Sequence, residues 1–181
     1  MAKAKRSSIP ATVAAMTLPP AVATLEIVRW NDDRARIERV RRAVFIEEQR
    51  IPEADEWDDS DPLCWHLLVL TANRDVVGTG RLDPAGKIGR VAVLPQYRGT
   101  GVGAAIVSRL VDLAAERGLT QVYLNAQTSA LRFYERLGFR AEGPEFDEVG
   151  IPHRRMRRRI GNGDEQQAGR DGNTEHPVEP G

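Results

Sequence analysis

Between Val91 and Val107 the chain reads VAVLPQYRGTGVGAAIV, with Gly99, Gly101 and Gly103 wedged between two apolar runs. A strand, a glycine-rich turn and a helix start, in that order, make an anion site. The first N–H groups of the helix lack carbonyl partners, its dipole adds partial positive charge, and glycine lets phosphate oxygens approach without meeting a Cβ. A nucleoside-triphosphate loop would need Lys and then Ser or Thr after its last glycine, and no Lys follows here. A dinucleotide fingerprint is matched by Gly99, Gly101 and Ala104. However, PQYR separates the turn from its strand, and the next strand ends at Asn125 and Gln127 where an acid is expected. Too little chain follows for a doubly wound sheet. A third pyrophosphate, that of coenzyme A, needs the same N–H cradle.

The elements that must position this turn follow from periodicity. ATLEIVRW alternates and reads as a first strand. Asn31, Asp32 or Asp33 can cap the helix that follows, with Ile37, Val40 and Val44 on its apolar face. CWHLLVLTA and VVGTGRLD form a hairpin around NRD, and KIGRVAVL is a further strand ending at Pro95. GVGAAIVSRLVDLAAERG is the strongest helix, striped by Val102, Ile106, Leu110 and Leu113 and stopped at Gly118. QVYLNAQ is a strand, SALRFYERL a short helix from Ser129 to the stop at Gly138, and PHRRMRRRI a closing edge strand. The order β-α-β-β-β-α-β-α-β is that of an α/β or α+β domain with a mixed sheet.

Of the 181 residues, 41% are apolar and 29% charged, which suits one globular domain. Lys+Arg and Asp+Glu both total 26, so no global charge directs the chain to nucleic acid or to a membrane. Locally, EADEWDDSD from Glu53 is acidic and HRRMRRR from His153 is basic. The first reads either as a lure for a cationic amine or as a solvated loop. On an edge strand the arginines of the second alternate between faces, so they form no contiguous patch and nucleic acid is not an expected partner. Cys64 is the one cysteine, which suits a reducing cytosol and a cytoplasmic location, and its setting PLCWHLLVL marks it as core. No run reaches the roughly 18 apolar residues of a membrane span. Residues 1–21 read as a flexible tail and 161–181 as a disordered one, leaving 22–160 as the working domain.

QYRGTG, Gln96 to Gly101, resembles the Q/R-x-x-G-x-G/A signature of the GCN5-related N-acetyltransferases (GNAT). RVAVLPQYRG before it and ALRFYERLGF after it are similar to two further pieces of that family's pattern, so the likeness spans Leu25 to Ile160. Within the family, VFIEEQRIPEADEWDDSD, GRLDPAGKIGRVAV and GIPHRRM resemble the ElaA/YjcF-like branch, with LNAQ where that branch carries LHAQ. The resemblance implies the GNAT fold, an α/β (α+β) domain with a mixed central β-sheet of about six to seven strands flanked by helices. It also implies acetyl-CoA as donor, an amine of a small molecule or peptide as acceptor, no metal, and a homodimer as a common assembly.

Carried onto this chain, the resemblance places pantetheine along Val91, Ala92 and Val93 and the pyrophosphate on Arg98, Gly99, Thr100, Gly101, Val102 and Gly103, with Gln96 and Gln127 nearby. The backbone N–H near Val93 would stabilise the oxyanion, and Tyr134 would protonate the leaving thiolate. The acceptor side would draw on Glu47, Glu48, Asp55, Asp58, His66, Asn125 and His153, with the proton acceptor unassigned among them or a water chain. Two other readings stand beside transfer: a GNAT-fold sensor that binds acyl-CoA without turnover, and a nucleotide-dependent oxidoreductase.

Overall fold

The computed structural model describes Val22 and residues 24–161, so the expected tail at 1–21, and all but Gly161 of that expected at 161–181, lie outside the described residues. The chain runs β1 (Thr24–Arg29), α1 (Trp30–Arg41) continued by a π-helical segment (Arg42–Glu48), α2 (Glu53–Glu56), β2 (Trp65–Leu70), β3 (Val76–Leu82), and β4 (Ile88–Val93). It continues through α3 (Val102–Glu116), β5 (Gln121–Gln127), α4 (Leu131–Arg136), β6 (Arg140–Glu148) and β7 (Ile151–Arg159).

β2 is apolar on both faces because helices cover both. Leu67 and Val69 pack with Val102, Ile106 and Leu110 of α3, while Leu68 and Leu70 pack with Ile37 and Val40 of α1. Each such side chain stabilises the fold by roughly 1.5–3 kcal/mol. α3 lies so close to β3 that a Cβ at Gly80 would stand 2.7 Å from Ile106 Cγ2.

Strands β1 to β4 form one antiparallel sheet in chain order, and β5, β7 and β6 form a second. The two sheets meet through a single parallel bridge between Lys87 and Tyr123, where the Tyr123 N–H donates to the Gly86 carbonyl at 3.0 Å. Past that bridge β4 and β5 share no ladder among the described residues, and they part toward Val93 and Gln127. The mixed α+β architecture expected of the sequence is therefore the one observed.

Two local expectations are corrected. The closing strand is not an edge: β7 lies between β5 and β6, because Arg140–Glu148 pairs along it as an additional strand. That strand escapes a search for alternation because its register shifts between Glu142 and Glu145, around Gly143 and Pro144. Helix α1 starts at Trp30 with no side-chain cap, and Asp33 (φ −129°, ψ 20°) kinks its first turn and accepts from Arg36 instead.

Candidate active site

The gap between β4 and β5 is bordered by the end of β4. The Leu94 N–H donates to the Val77 carbonyl at 2.9 Å, and Val93 stands opposite Gly78. Val93 and Gly78 are thus a non-hydrogen-bonded pair, which turns the N–H and C=O of Val93 away from β3 and into the gap. Just upstream, Thr79 pairs with Ala92 and Arg81 with Gly89, so β4 carries an extra residue, with Arg90 at φ +50°. Ala92 faces the core on the α1 side, and Val91 and Val93 the α3 side.

After β4 the chain turns through Gly99 and Gly101, whose φ of +73° and +93° belong to the left-handed region that glycine enters without strain. No side chain caps α3, so the first N–H groups from Val102 and Gly103 onward have no side-chain acceptor. A Cβ at Gly99 would meet nothing within 4 Å, so the turn itself is open there. Gln96 is exposed, and the Thr100 hydroxyl donates to the Tyr97 carbonyl at 2.7 Å.

Arg98 and Glu48, expected on opposite sides of the reaction, pair with each other. Both terminal nitrogens of Arg98 meet the Glu48 carboxylate at 2.6 Å, and Nε donates to the Val93 carbonyl at 3.0 Å. The hydrogen bond from Arg98 holds the Glu48 carboxyl below its usual range. Glu47 is exposed and does not line the cleft.

The acidic loop is neither a bare anionic lure nor a solvated loop. Arg41 is fully buried, with Nε 2.5 Å from Glu56 and Nη1 2.7 Å from Asp61, and it also donates to the Glu56 carbonyl. Arg81 binds Asp58 with both terminal nitrogens at 2.9 and 2.7 Å and reaches Asp61 at 2.5 Å. Arg90 meets Glu56 at 3.2 Å and Asp58 at 3.3 Å. Three guanidinium groups thus offset three carboxylates, Glu56, Asp58 and Asp61, and Arg42 pairs with Glu53, so that most of the loop's charge is matched. Burial pushes the Glu56 carboxyl up. Asp58, despite partial burial, is held well below the usual carboxylate range by the Arg81 hydrogen bonds, which removes it as a proton acceptor.

His66 is likewise removed. It is buried beneath α1, its ring 5.4 Å from Trp30 and its Nε2 2.9 Å from the Asp61 carbonyl, and burial lowers its pKa.

Against this loop lies a cleft of about 460 Å³ that brings together Asp55, Asp58, Val91, Asn125, Gln127, Tyr134 and His153 of the expected residues. Tyr134 packs edge-on between Phe133 and Phe139, and burial pushes its phenol up to about 12. Gln127 donates to Gln49 at 3.3 Å, linking β5 to the end of the π-helical segment. His153 stacks on Phe146, with Nδ1 2.8 Å from the Ile151 carbonyl. Sequence reasoning missed Glu56, Arg81, Arg90 and Glu148, which also line the cleft. For Glu148 the one available signal was the hairpin turn DEVGI itself. Asn125 donates to Glu148 at 3.1 Å, which gives the residue at the LNAQ departure a definite partner.

Residues 64–160 match the acetyltransferase (GNAT) domain family. YjcF of Bacillus subtilis, described as an uncharacterized N-acetyltransferase, is 39% identical over 121 residues, 65% of this chain and 86% of its own. An acyl-CoA N-acyltransferase from Pseudomonas aeruginosa superposes with a TM-score of 0.68 at 30% identity, covering 75% of this chain and 98% of the other. ElaA of Escherichia coli superposes with a TM-score of 0.67 at 27% identity over the same shares.

Proposed function

This chain belongs to the GNAT acetyltransferase family, in the neighbourhood of ElaA and YjcF, and from that premise we propose that it transfers an acetyl group from acetyl-CoA to an amine of a small molecule or peptide. N-acyl transfer from an acyl-CoA comes with the family; the acetyl group, the acceptor and the residue roles below are our reading.

The gap between β4 and β5 carries the reading. Its β4 edge runs from Val91, in the cleft, to the turn that opens α3. The residues fit coenzyme A on two counts: an uncapped helix start that follows an open glycine turn, and an edge of β4 whose Val93 N–H is free to pair with an added strand while Arg98 holds the Val93 carbonyl. Val91 to Val93 would hold the pantetheine arm, and Arg98 to Gly103 the pyrophosphate, with Gln96 and Gln127 at its margins. Arg98 would reach a phosphate by exchanging Glu48 for it.

The thioester supplies an activated acyl carbonyl; the rest is done by the chain. The Val93 N–H stabilises the oxyanion without reorganising, because the ladder already points it into the gap. Tyr134, its phenol protonated at neutral pH, gives its proton to the departing thiolate. Asp55, Asn125 and His153 remain on the acceptor side. The buried thiol of Cys64 takes no part and accords with a reducing cytoplasm, and a homodimer is the assembly we would look for. No described helix is long and apolar enough to cross a membrane.

Thermal unfolding with acetyl-CoA, NAD and ATP in parallel tests the reading, since a ligand at a hundred times its Kd stabilises by about 2.7 kcal/mol. Stabilisation by acetyl-CoA alone, followed by thiol release with some amine of a broad panel, is the expected result. Stabilisation by NAD instead would sink it, and tight acetyl-CoA binding with no amine consumed would leave the sensor.

A further inference from the structure

Five carboxylates line the cleft: Asp55, Glu56, Asp58, Asp83 and Glu148. Three of them are held by partners and a fourth stands in solvent. Glu56 and Asp58 belong to the arginine network. Asp83 Oδ1 accepts the N–H groups of Ala85 and Lys87 at 2.9 and 2.8 Å, holding its own turn. Asp55 is exposed in the first turn of α2.

Glu148 is neither held by backbone N–H groups like Asp83 nor exposed like Asp55. It is half-buried, it makes no ion pair among the described residues, and its side chain accepts a hydrogen bond only from the Asn125 amide. An amide dipole orients a carboxylate and leaves its charge in place. The turn that presents Glu148 is built at a cost: Val149, a β-branched residue, sits at φ +55° before Gly150 at φ +75°, and Asp147 accepts the Gly150 N–H at 2.8 Å. The same cleft is lined by apolar Phe45, Ile51, Ile88, Leu124 and Ile151, with Lys87, Arg81 and Arg90 also in its wall. A half-buried carboxylate with no ion pair, in a cleft that also presents apolar side chains, is complementary to an ammonium at the end of an aliphatic stem.

We propose that Glu148, oriented by Asn125, receives the acceptor's ammonium and takes its proton, and that the acceptor is an aliphatic primary amine. This rests on the acyltransferase reading. The Glu148 carboxylate removes one proton from R–NH3+, leaving R–NH2. The nitrogen lone pair forms the new C–N bond as the C–S bond breaks, and Tyr134 protonates the thiolate. The second nitrogen proton returns to the Tyr134 phenolate, and Glu148 releases its proton to water.

Isothermal titration of the full chain with n-hexylamine near neutral pH, with hexanol as the uncharged control, tests the binding half. Hexylamine should bind tighter than hexanol. Glu148→Gln should weaken hexylamine by about tenfold or more, and Glu148→Asp by less, with the unfolding midpoint unchanged. Equal affinity of Glu148→Gln for hexylamine, or hexylamine no tighter than hexanol, would overturn the proposal. Coenzyme A titrated into the same samples separates the two readings. If coenzyme A fails to bind while hexylamine still depends on Glu148, the acyltransferase reading fails and the ammonium site stands. Thiol release from acetyl-CoA with hexylamine tests the proton transfer: Glu148→Gln should lower kcat as well as raise KM, and a raised KM with unchanged kcat would overturn it.

Discussion

Val93→Pro separates catalysis from stability at one atom. Proline removes a backbone N–H, and in most strand positions that breaks the ladder. At Val93 it does not, because Leu94 N–H to Val77 O and the Val93–Gly78 register leave the Val93 N–H facing the gap. Val93 is also the last residue of β4, where a φ near −65° is tolerated. If this N–H is the oxyanion donor, its loss should lower kcat by about 10²–10³, or ~2.7–4 kcal/mol. Ala92→Pro is the matched control, since by the same register the Ala92 N–H points to β3 and pairs with Thr79. There the substitution strands a buried carbonyl, at about 1–3 kcal/mol of stability. Thiol release from acetyl-CoA measures the first effect and urea unfolding the second. A Val93→Pro protein with undiminished kcat, or one as destabilised as Ala92→Pro, would refute the assignment of that N–H.

Tyr134→Phe should lower kcat by about 10²–10⁴ with little change in unfolding, because the ring contacts with Phe133 and Phe139 survive. With the phenol pushed up to about 12, the wild-type pH–rate profile should show no alkaline fall from this group below that pH. Arg41→Met should cost about 3–5 kcal/mol in urea unfolding, since it leaves Glu56 and Asp61 buried with fewer partners. Adding Glu56→Gln and Asp61→Asn should restore much of that loss, and a single-variant cost under ~1 kcal/mol would contradict the network. Asp58, depressed in the folded chain, contributes stability that is full above its unfolded value of about 3.9 and lost as pH falls through its folded one. Glu56, raised by burial, works in the opposite sense: its contribution is full below its unfolded value, about 4.3, and declines as pH rises through the folded one. Asp58→Asn should therefore flatten the acid side of a stability–pH curve, and an unchanged slope would count against the Arg81 pairing.

What could be read from the residues tracks how local the physics is. The glycine turn, the α3 stripe and the β2–β3 hairpin depend on neighbours a few positions away, and they form as expected. Two sheets splayed from one bridge could not be seen that way, because Lys87 and Tyr123 are far apart in the chain; the family resemblance supplied the mixed strands as one central sheet. Arg41 illustrates the limit from the other side. In RARIERVRRAV it falls four positions after Ile37 and three before Val44, on the apolar face, where a charge is out of place; it is fully buried there because its partners Glu56 and Asp61 arrive from a loop that periodicity cannot place. Arg98 was legible as a cation near a phosphate site, but not as the partner of Glu48 fifty positions earlier.

The same limit explains why counting charges misjudges the acceptor side. EADEWDDSD looks strongly anionic as text, but Glu56, Asp58 and Asp61 are matched by Arg41, Arg81 and Arg90 from α1, β3 and the β4 bulge. The residual charge of the cleft is then set by Asp55 alone of that run, together with residues that no acidic run advertises. Glu148 lies at the tip of a hairpin whose strand is hidden by Gly143 and Pro144. This division has a physical consequence for specificity. The donor side is built from backbone N–H groups and glycine geometry, which constrain the chain tightly. The acceptor side rests on side chains of α2 and the β6–β7 tip, where a single replacement alters charge without disturbing a ladder. Related chains with the same donor turn should therefore differ in acceptor through the residue at the hairpin tip, and exchanging that tip alone should move amine preference while leaving coenzyme A affinity in place.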